Sequence, residues 1–405
     1  MTSRYATLRR AELAILLPEL LLAGQLIDRS AMAWCLGAFG RGEMARIAIE
    51  EWMAASPIYT RRMQRALRYE GTDVVTIFKG LQLDIGAPPQ FMDFRYTVHD
   101  PWHGEFRLDH CGALMDVEPL GDEFVTAMCH DIEDPTFDAT AVATNPKARV
   151  RPIHRPPRRP ADQHPHCAWT VVIDDANPPV SESPGCRRLR KSKAANVKLD
   201  PIDPLDEGSA DYSGPLLTDV VFADFSHSAL VRMADEVCLQ MHLLNLGFVQ
   251  AVEHRTDDAR ALCVKQLTGI AGLAAERLHR ALALPGGPEG ALRVLELHPL
   301  LNPAAYVQAT VADTVTVTPS PAHVDGAWIS LCGPDELRPL QAIVRAVDPC
   351  LDVEVTGTTR EWTAKVVVSK PAKEFDEVAV TKVSTGAAFA FQPRRSLPIT
   401  PVSHD

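Results

Sequence analysis

The chain has 405 residues, 46% of them apolar and 23% charged, an ordinary globular composition with length for two or three cores. A net charge of −11 argues against a nucleic-acid or anionic-membrane binder. Nine cysteines, an odd number without a dense framework, fit a reducing compartment, and no stretch is an uncharged membrane span, so a soluble cytoplasmic protein is expected.

Near the N-terminus, Leu13 to Ala23 follows Arg9 and Arg10 much as a signal peptide would, but Glu12 and Glu19 interrupt it. Leu13, Leu16, Leu17, Leu20 and Leu21 instead suit one face of a helix. Residues 7–84 read as helices. Met44, Ile47, Ala48, Glu51 and Trp52 recur at helical spacing, and Ser56-Pro57 reads as an N-cap with proline at the first helical position. Pro88-Pro89 ends the region.

Residues 91–175 change character. Phe94 to Val98 and Glu105 to Cys111 read as strands around a turn at Pro101 and Gly104. Leu120 to Cys129 reads as a helix, and Arg149 to His154 and Cys167 to Ile173 as strands. The intervening His154-Arg-Pro-Pro-Arg-Arg-Pro160 suits neither a regular helix nor a central strand. Residues 176–220, rich in proline, serine and charge, read as a linker whose basic run Arg187 to Lys193 is solvated. Two helices follow, Phe225 to Arg255 and Asp257 to Leu284, stopped by Pro285-Gly-Gly287. Residues 305–392 return to strand, most clearly at Val311 to Thr318 and Thr363 to Val368.

The expected fold class is therefore α+β with two lobes, each a helical segment followed by a small, mostly antiparallel sheet with a helix. The divisions are 1–175, a linker 176–220, 221–395, and a tail 396–405. The order suggests an internal duplication. Cys111-Gly112 precedes Cys129 as Cys332-Gly333 precedes Cys350, at the same spacing. Each half reaches a tryptophan strand, at Trp169 and at Trp362, and Gln64-Arg-Ala-Leu67 matches His279-Arg-Ala-Leu282.

Chemistry concentrates between His99 and His166, which hold seven of the fourteen histidines, with Cys111, Cys129 and Cys167 in or beside the window. His110, His154, His164 and His166 are candidate ligands for Zn²⁺ or Fe²⁺, with Asp131 or Glu133 completing or orienting the shell. No HExxH or paired CxxC signature accompanies them. Cys129, beside His130 and Asp131, is the candidate nucleophile with an acid/base and its orienting carboxylate, in a pocket expected between Trp102 and Trp169. His99 and His103 flank a proline turn and read as loop residues at a pocket mouth. Glu276-Arg-Leu-His279, with Glu236, matches half of a di-iron motif and reads as a surface helix. No Gly-rich fingerprint, P-loop or GxSxG elbow is present, so no nucleotide cofactor is indicated.

Pro156-Pro157, Asp162 and Cys167-Ala-Trp169 form a pattern similar to that of proteins of the L-2-amino-thiazoline-4-carboxylic acid hydrolase-like family, over roughly residues 30–175. The resemblance implies a compact α+β domain and a small-molecule hydrolase with an essential cysteine, which would fall at Cys129. The leading expectation is a metal-assisted small-molecule enzyme, hydrolytic in kind. The alternatives are a metal- or ligand-binding sensor or carrier and a structural partner subunit. Expected partners are a small molecule and a second copy of the chain, with no nucleic acid and no membrane.

Overall fold

A computed structural model of the chain describes residues 2–382. The expected tail and the last residues assigned to the second lobe lie outside the described residues. The first half runs α1 (Arg10–Ala66), α2 (Val74–Gln82), β1 (Met92–Asp100) and β2 (His103–Cys111). It continues through α3 (Gly112–Val117), α4 (Asp122–Thr126), a π-helical turn (Ala127–Ile132), α5 (Glu133–Ala141), β3 (Ala148–His154) and β4 (Cys167–Ile173). The strands form an antiparallel sheet in the order β1-β2-β4-β3.

After α6 (Pro184–Leu189) and α7 (Lys193–Asn196), the second half repeats this plan. It runs α8 (His227–Glu253), α9 (Ala259–Ala281), α10 (Gly287–Leu297), β5 (Ala309–Val311), β6 (Val315–Val317), α11 (Pro321–Asp325), α12 (Arg338–Val347), β7 (Leu351–Gly357), β8 (Trp362–Val368) and α13 (Asp376–Lys382). Its sheet order, β5-β6-β8-β7, is the same. The fold is α+β as expected. Val311 to Thr318 is a small hairpin rather than one strand, and the helix expected over Leu120 to Cys129 is broken into α4 and the π-helical turn.

α1 is a hairpin of two helical arms. Gly40 sits at φ 77°, a backbone conformation that glycine reaches without a Cβ clash, and interrupts the helix there. Trp52 on the second arm then reaches back to Asp28 on the first. The α1 hairpin corresponds to the α8–α9 pair. The matched tetrapeptides end equivalent helices: Ala66 and Ala281 are the last helical residues, and the residues after Leu67 and Leu282 are left-handed, Arg68 at φ 56° and Ala283 at φ 47°. Trp169 and Trp362 both lie in the core, on the strands paired with β2 and β6.

The cysteine pairs, however, are not equivalent. Cys111 ends β2 whereas Cys332 follows a 3-10 turn, and Cys129 lies in the π-helical turn whereas Cys350 directly precedes β7. Their matched spacing is coincidental. The repeat rests on topology and helix ends.

Ser56-Pro57 does not start a helix; Pro57 lies inside the second arm of α1. Proline there leaves the Met53 carbonyl without its usual N–H partner. The Ser183 hydroxyl donates to that carbonyl at 3.2 Å and also accepts from the Cys186 amide at 3.0 Å, capping α6. Ser183→Ala removes both bonds, and we expect it to lower the unfolding free energy by about 1–2 kcal/mol in urea titrations. An unchanged midpoint would show that the carbonyl finds another donor.

Residues 176–220 are strapped down rather than free. Cys186, Leu189, Ala194 and Tyr212 are buried. Arg62 donates to the Ala195 and Val197 carbonyls, each at 3.1 Å, and the Lys79 ammonium donates to the Tyr212 carbonyl at 2.9 Å. From the basic run, Arg190 pairs with Glu182.

The halves share one hydrophobic core, and α1 packs along α8 and α9. Gly247 permits the approach: a Cβ there would stand 2.9 Å from the Glu51 carbonyl oxygen. Arg62 of α1 holds buried Glu236 of α8 through two bonds, 2.8 and 3.1 Å. The first residues dock on the second half. Ser3 donates to Asp235 at 3.0 Å, Tyr5 to the Leu297 carbonyl at 3.0 Å, and Arg4 to the Val307 and Ala309 carbonyls. No helix among the described residues is long and apolar enough to cross a membrane.

Candidate functional site

A cavity of about 440 Å³ lies between the α1 hairpin, the inner face of β1–β2 and the helices that follow. Its walls are mostly apolar, with Met32, Trp52, Phe94 and Phe137 among them, and its size suits a small organic ligand. Both arms of α1 line it because the chain reverses at Gly40. The π-helical turn and α5 present Met128, Ile132, Glu133, Thr136 and Phe137 to it as one face.

Four carboxyl groups interrupt the apolar wall: Asp28, Asp84, Asp116 and Glu133. Asp28 Oδ2 accepts from Trp52 Nε1 at 2.6 Å, while Asp28 Oδ1 is buried and receives no donor outside the contact with Glu51. Behind it lies Glu51, fully buried, neither of whose oxygens receives a protein donor outside this pair. Its neighbour is the Asp28 carboxyl, so a hydrogen bond between them requires one of the two to be protonated. Burial raises both pKa values, and the adjacent Asp28 carboxyl raises that of Glu51 further. Asp84 accepts from the Tyr59 hydroxyl at 2.9 Å and the Gly86 amide at 2.7 Å, and burial pushes it up to about 6. Burial, with a contribution from nearby Asp134, pushes Glu133 up to about 8 against the pull of Arg155. Asp116 is held by Arg29, whose Nε donates to it at 3.0 Å.

The expected catalytic residues lie on the turn that helps to wall the cavity and face elsewhere. Cys129 is buried behind the cavity wall, and burial holds its thiol well above its ordinary pKa, with Glu133, Cys111 and Cys167 adding to the effect. That environment opposes a thiolate. His130 Nε2 bonds the Pro156 carbonyl at 2.7 Å, and Asp131 is exposed to solvent. Three successive positions on one helical turn point in three directions.

Three of the four expected metal ligands gather, but outside the cavity. The ring of His166 lies 5.7 Å from that of His110 and 5.1 Å from that of His164, centre to centre. His166 Nδ1 accepts from the Cys111 amide at 3.2 Å. Burial first, then Arg158 and the neighbouring histidines, push His166 down to about 4, and burial lowers His110. His154 stands apart, its Nδ1 3.5 Å from the Gln163 amide. The simple alternation expected for β2 fails because the pairing shifts register between Met92 and Phe94, where three steps of β2 oppose two of β1. Leu108 and Cys111 face inward and His110 outward. Trp102 and Trp169 share no pocket: Trp102 is 51% exposed at the hairpin turn and Trp169 is wholly buried.

Among the described residues, the group that could hold a metal ion is His99, His103 and Glu105, with ligand atoms all within 4.8 Å of one another. His99 and His103 are strand ends on the solvent side of the first hairpin, not loop residues at a pocket mouth, and His99 Nε2 lies 3.2 Å from Glu105. In the half-motif on α9, Glu276 pairs with Arg280 and Lys382, and His279 bonds the Pro285 carbonyl at 3.1 Å.

No protein-family model, curated protein or solved structure matches the chain.

Proposed function

We propose that the chain binds a small organic molecule in the cavity between the α1 hairpin and the first sheet and transforms it by general acid–base catalysis. The observation that carries this reading is the Asp28–Glu51 carboxyl pair, in which Asp28 lines the apolar cavity and the fully buried Glu51 lies against it. Asp28 touches the ligand and exchanges a proton with it. Glu51 behind it is a positioning residue that holds the shared proton. Glu133, kept protonated near neutrality, is the complementary acid on another wall. Hydrolysis, as the family resemblance implies, fits this machinery without a cysteine nucleophile. His110, His154, His164 and His166 are not among the residues lining the cavity.

The test begins with protein purified from cells, extracted and analysed by mass spectrometry for a retained small molecule. Met32→Trp fills the cavity from a half-buried position and should abolish retention while circular dichroism stays that of the parent. Asp28→Asn should retain the molecule and lose turnover by about 100-fold or more. Retention by the Trp variant, or undiminished turnover by the Asn variant, would overturn the proposal.

A further inference from the structure

We infer that the outer face of the first hairpin binds one divalent transition-metal ion of the zinc class, held by His99, His103 and Glu105 and tying the edge strand β1 to its neighbour β2. Strand geometry brings the three side chains together. Along β2, Gly104, Phe106 and Leu108 are buried, which leaves His103 and Glu105, two residues apart, side by side on the opposite face. The register of β1 shifts between Val98 and Asp100, where two steps of β1 oppose one of β2. His99 is the extra residue of that bulge, and a bulge re-aims the side chain it carries. Its ring comes to 4.6 Å from that of His103, centre to centre, and its Nε2 to 3.2 Å from the Glu105 carboxylate.

The donor set selects the ion. Two imidazole nitrogens and one carboxylate oxygen suit zinc and its neighbours, whereas Mg²⁺ and Ca²⁺ take oxygen shells. The three ligand atoms lie within 4.8 Å of one another. Around a tetrahedral zinc ion with bonds of about 2.0–2.1 Å they would stand about 3.3–3.4 Å apart. Small rotations of side chains that reach solvent supply that closure while the backbone stays fixed. His103 and Glu105 stand on a strand paired on both sides, with β1 and with β4, so two of the three ligands have a rigid support. Among the described residues, Glu105 has His99 as its ion-pair partner and no lysine or arginine. Three protein ligands leave a fourth position for water. The equivalent hairpin of the second half, β5–β6, carries Thr310, Thr314 and Thr316 and no histidine, so the topology does not require histidine here.

Zinc chloride, titrated by calorimetry into the full chain without an affinity tag, tests the site. One equivalent should bind with excess magnesium chloride present. His103→Ala and Glu105→Gln should each weaken that binding by about tenfold or more. Both positions face solvent, so the circular dichroism of either variant should stay that of the parent. His164→Ala, in the separate cluster around His166, should leave the zinc affinity unchanged. Absence of a stoichiometric isotherm would overturn the assignment. So would zinc that binds the His103→Ala and Glu105→Gln chains as tightly as the parent, or that is lost from the His164→Ala chain.

Discussion

Replacing Glu133 by glutamine should make the protein more stable at alkaline pH and leave it nearly unchanged in acid. The Glu133 carboxyl is pushed from 4.5 up to about 8 by burial. In the unfolded chain it ionises above about pH 4.5, while in the folded chain it keeps its proton until about pH 8. Over that window the folded state binds more protons, so its stability falls as pH rises. Asp235, pushed up to about 7, and Asp84, up to about 6, act in the same sense in both proteins. The Gln variant lacks only the Glu133 part. Its advantage should open from near zero at pH 4.5 to on the order of 3 kcal/mol at pH 8, a figure reduced from the full shift because the cavity admits water. Urea titrations across this range measure it. Parallel stability curves would show that Glu133 ionises freely in the folded protein.

Arg62→Ala should be the most damaging single change at the junction of the halves, lowering the unfolding free energy by about 3–5 kcal/mol. Arg62 is 7% exposed and Glu236 is 2% exposed. Without the guanidinium, Glu236 keeps only Arg232, and the Ala195 and Val197 carbonyls lose a donor. A buried charge stripped of one partner costs more than the pair contributes over an apolar replacement. The double variant Arg62→Met, Glu236→Leu should therefore recover more than half of the loss. A loss below about 1 kcal/mol in the single variant would mean that Arg232 alone satisfies Glu236.

Where the chain repeats a period, its elements were readable from sequence. The strand pairs around Pro101 and before Trp169 fall within one or two residues of their expected limits, because alternation and turn residues agree there. Ser56-Pro57 reads as a helix start rather than a helix interior because the group that rescues the orphaned carbonyl, Ser183, is 130 residues from Met53. The candidate site was legible only as a neighbourhood. Cys129, His130 and Asp131 lie on the turn that helps to wall the cavity, yet the residues facing inward are their neighbours Met128, Ile132 and Glu133. Residue type drew attention to imidazole and thiol, whereas orientation is set by a π-helical turn and a shift in strand register that have no simple period. One local signal was available: Glu51 shares a helical face with Met44, Ile47 and Ala48, and a carboxyl on a buried face needs an explanation.

The docking of the first residues has a consequence in time. Arg4 finds its carbonyl acceptor at Ala309, 305 residues further along. At typical synthesis rates of 5–20 residues per second, that acceptor is made roughly 15–60 s after Arg4. Through that interval Arg4 lacks the Val307 and Ala309 carbonyls that hold it. A nascent chain halted before residue 300 should therefore hold its N-terminal segment open to protease, and one extended past residue 368 should close it.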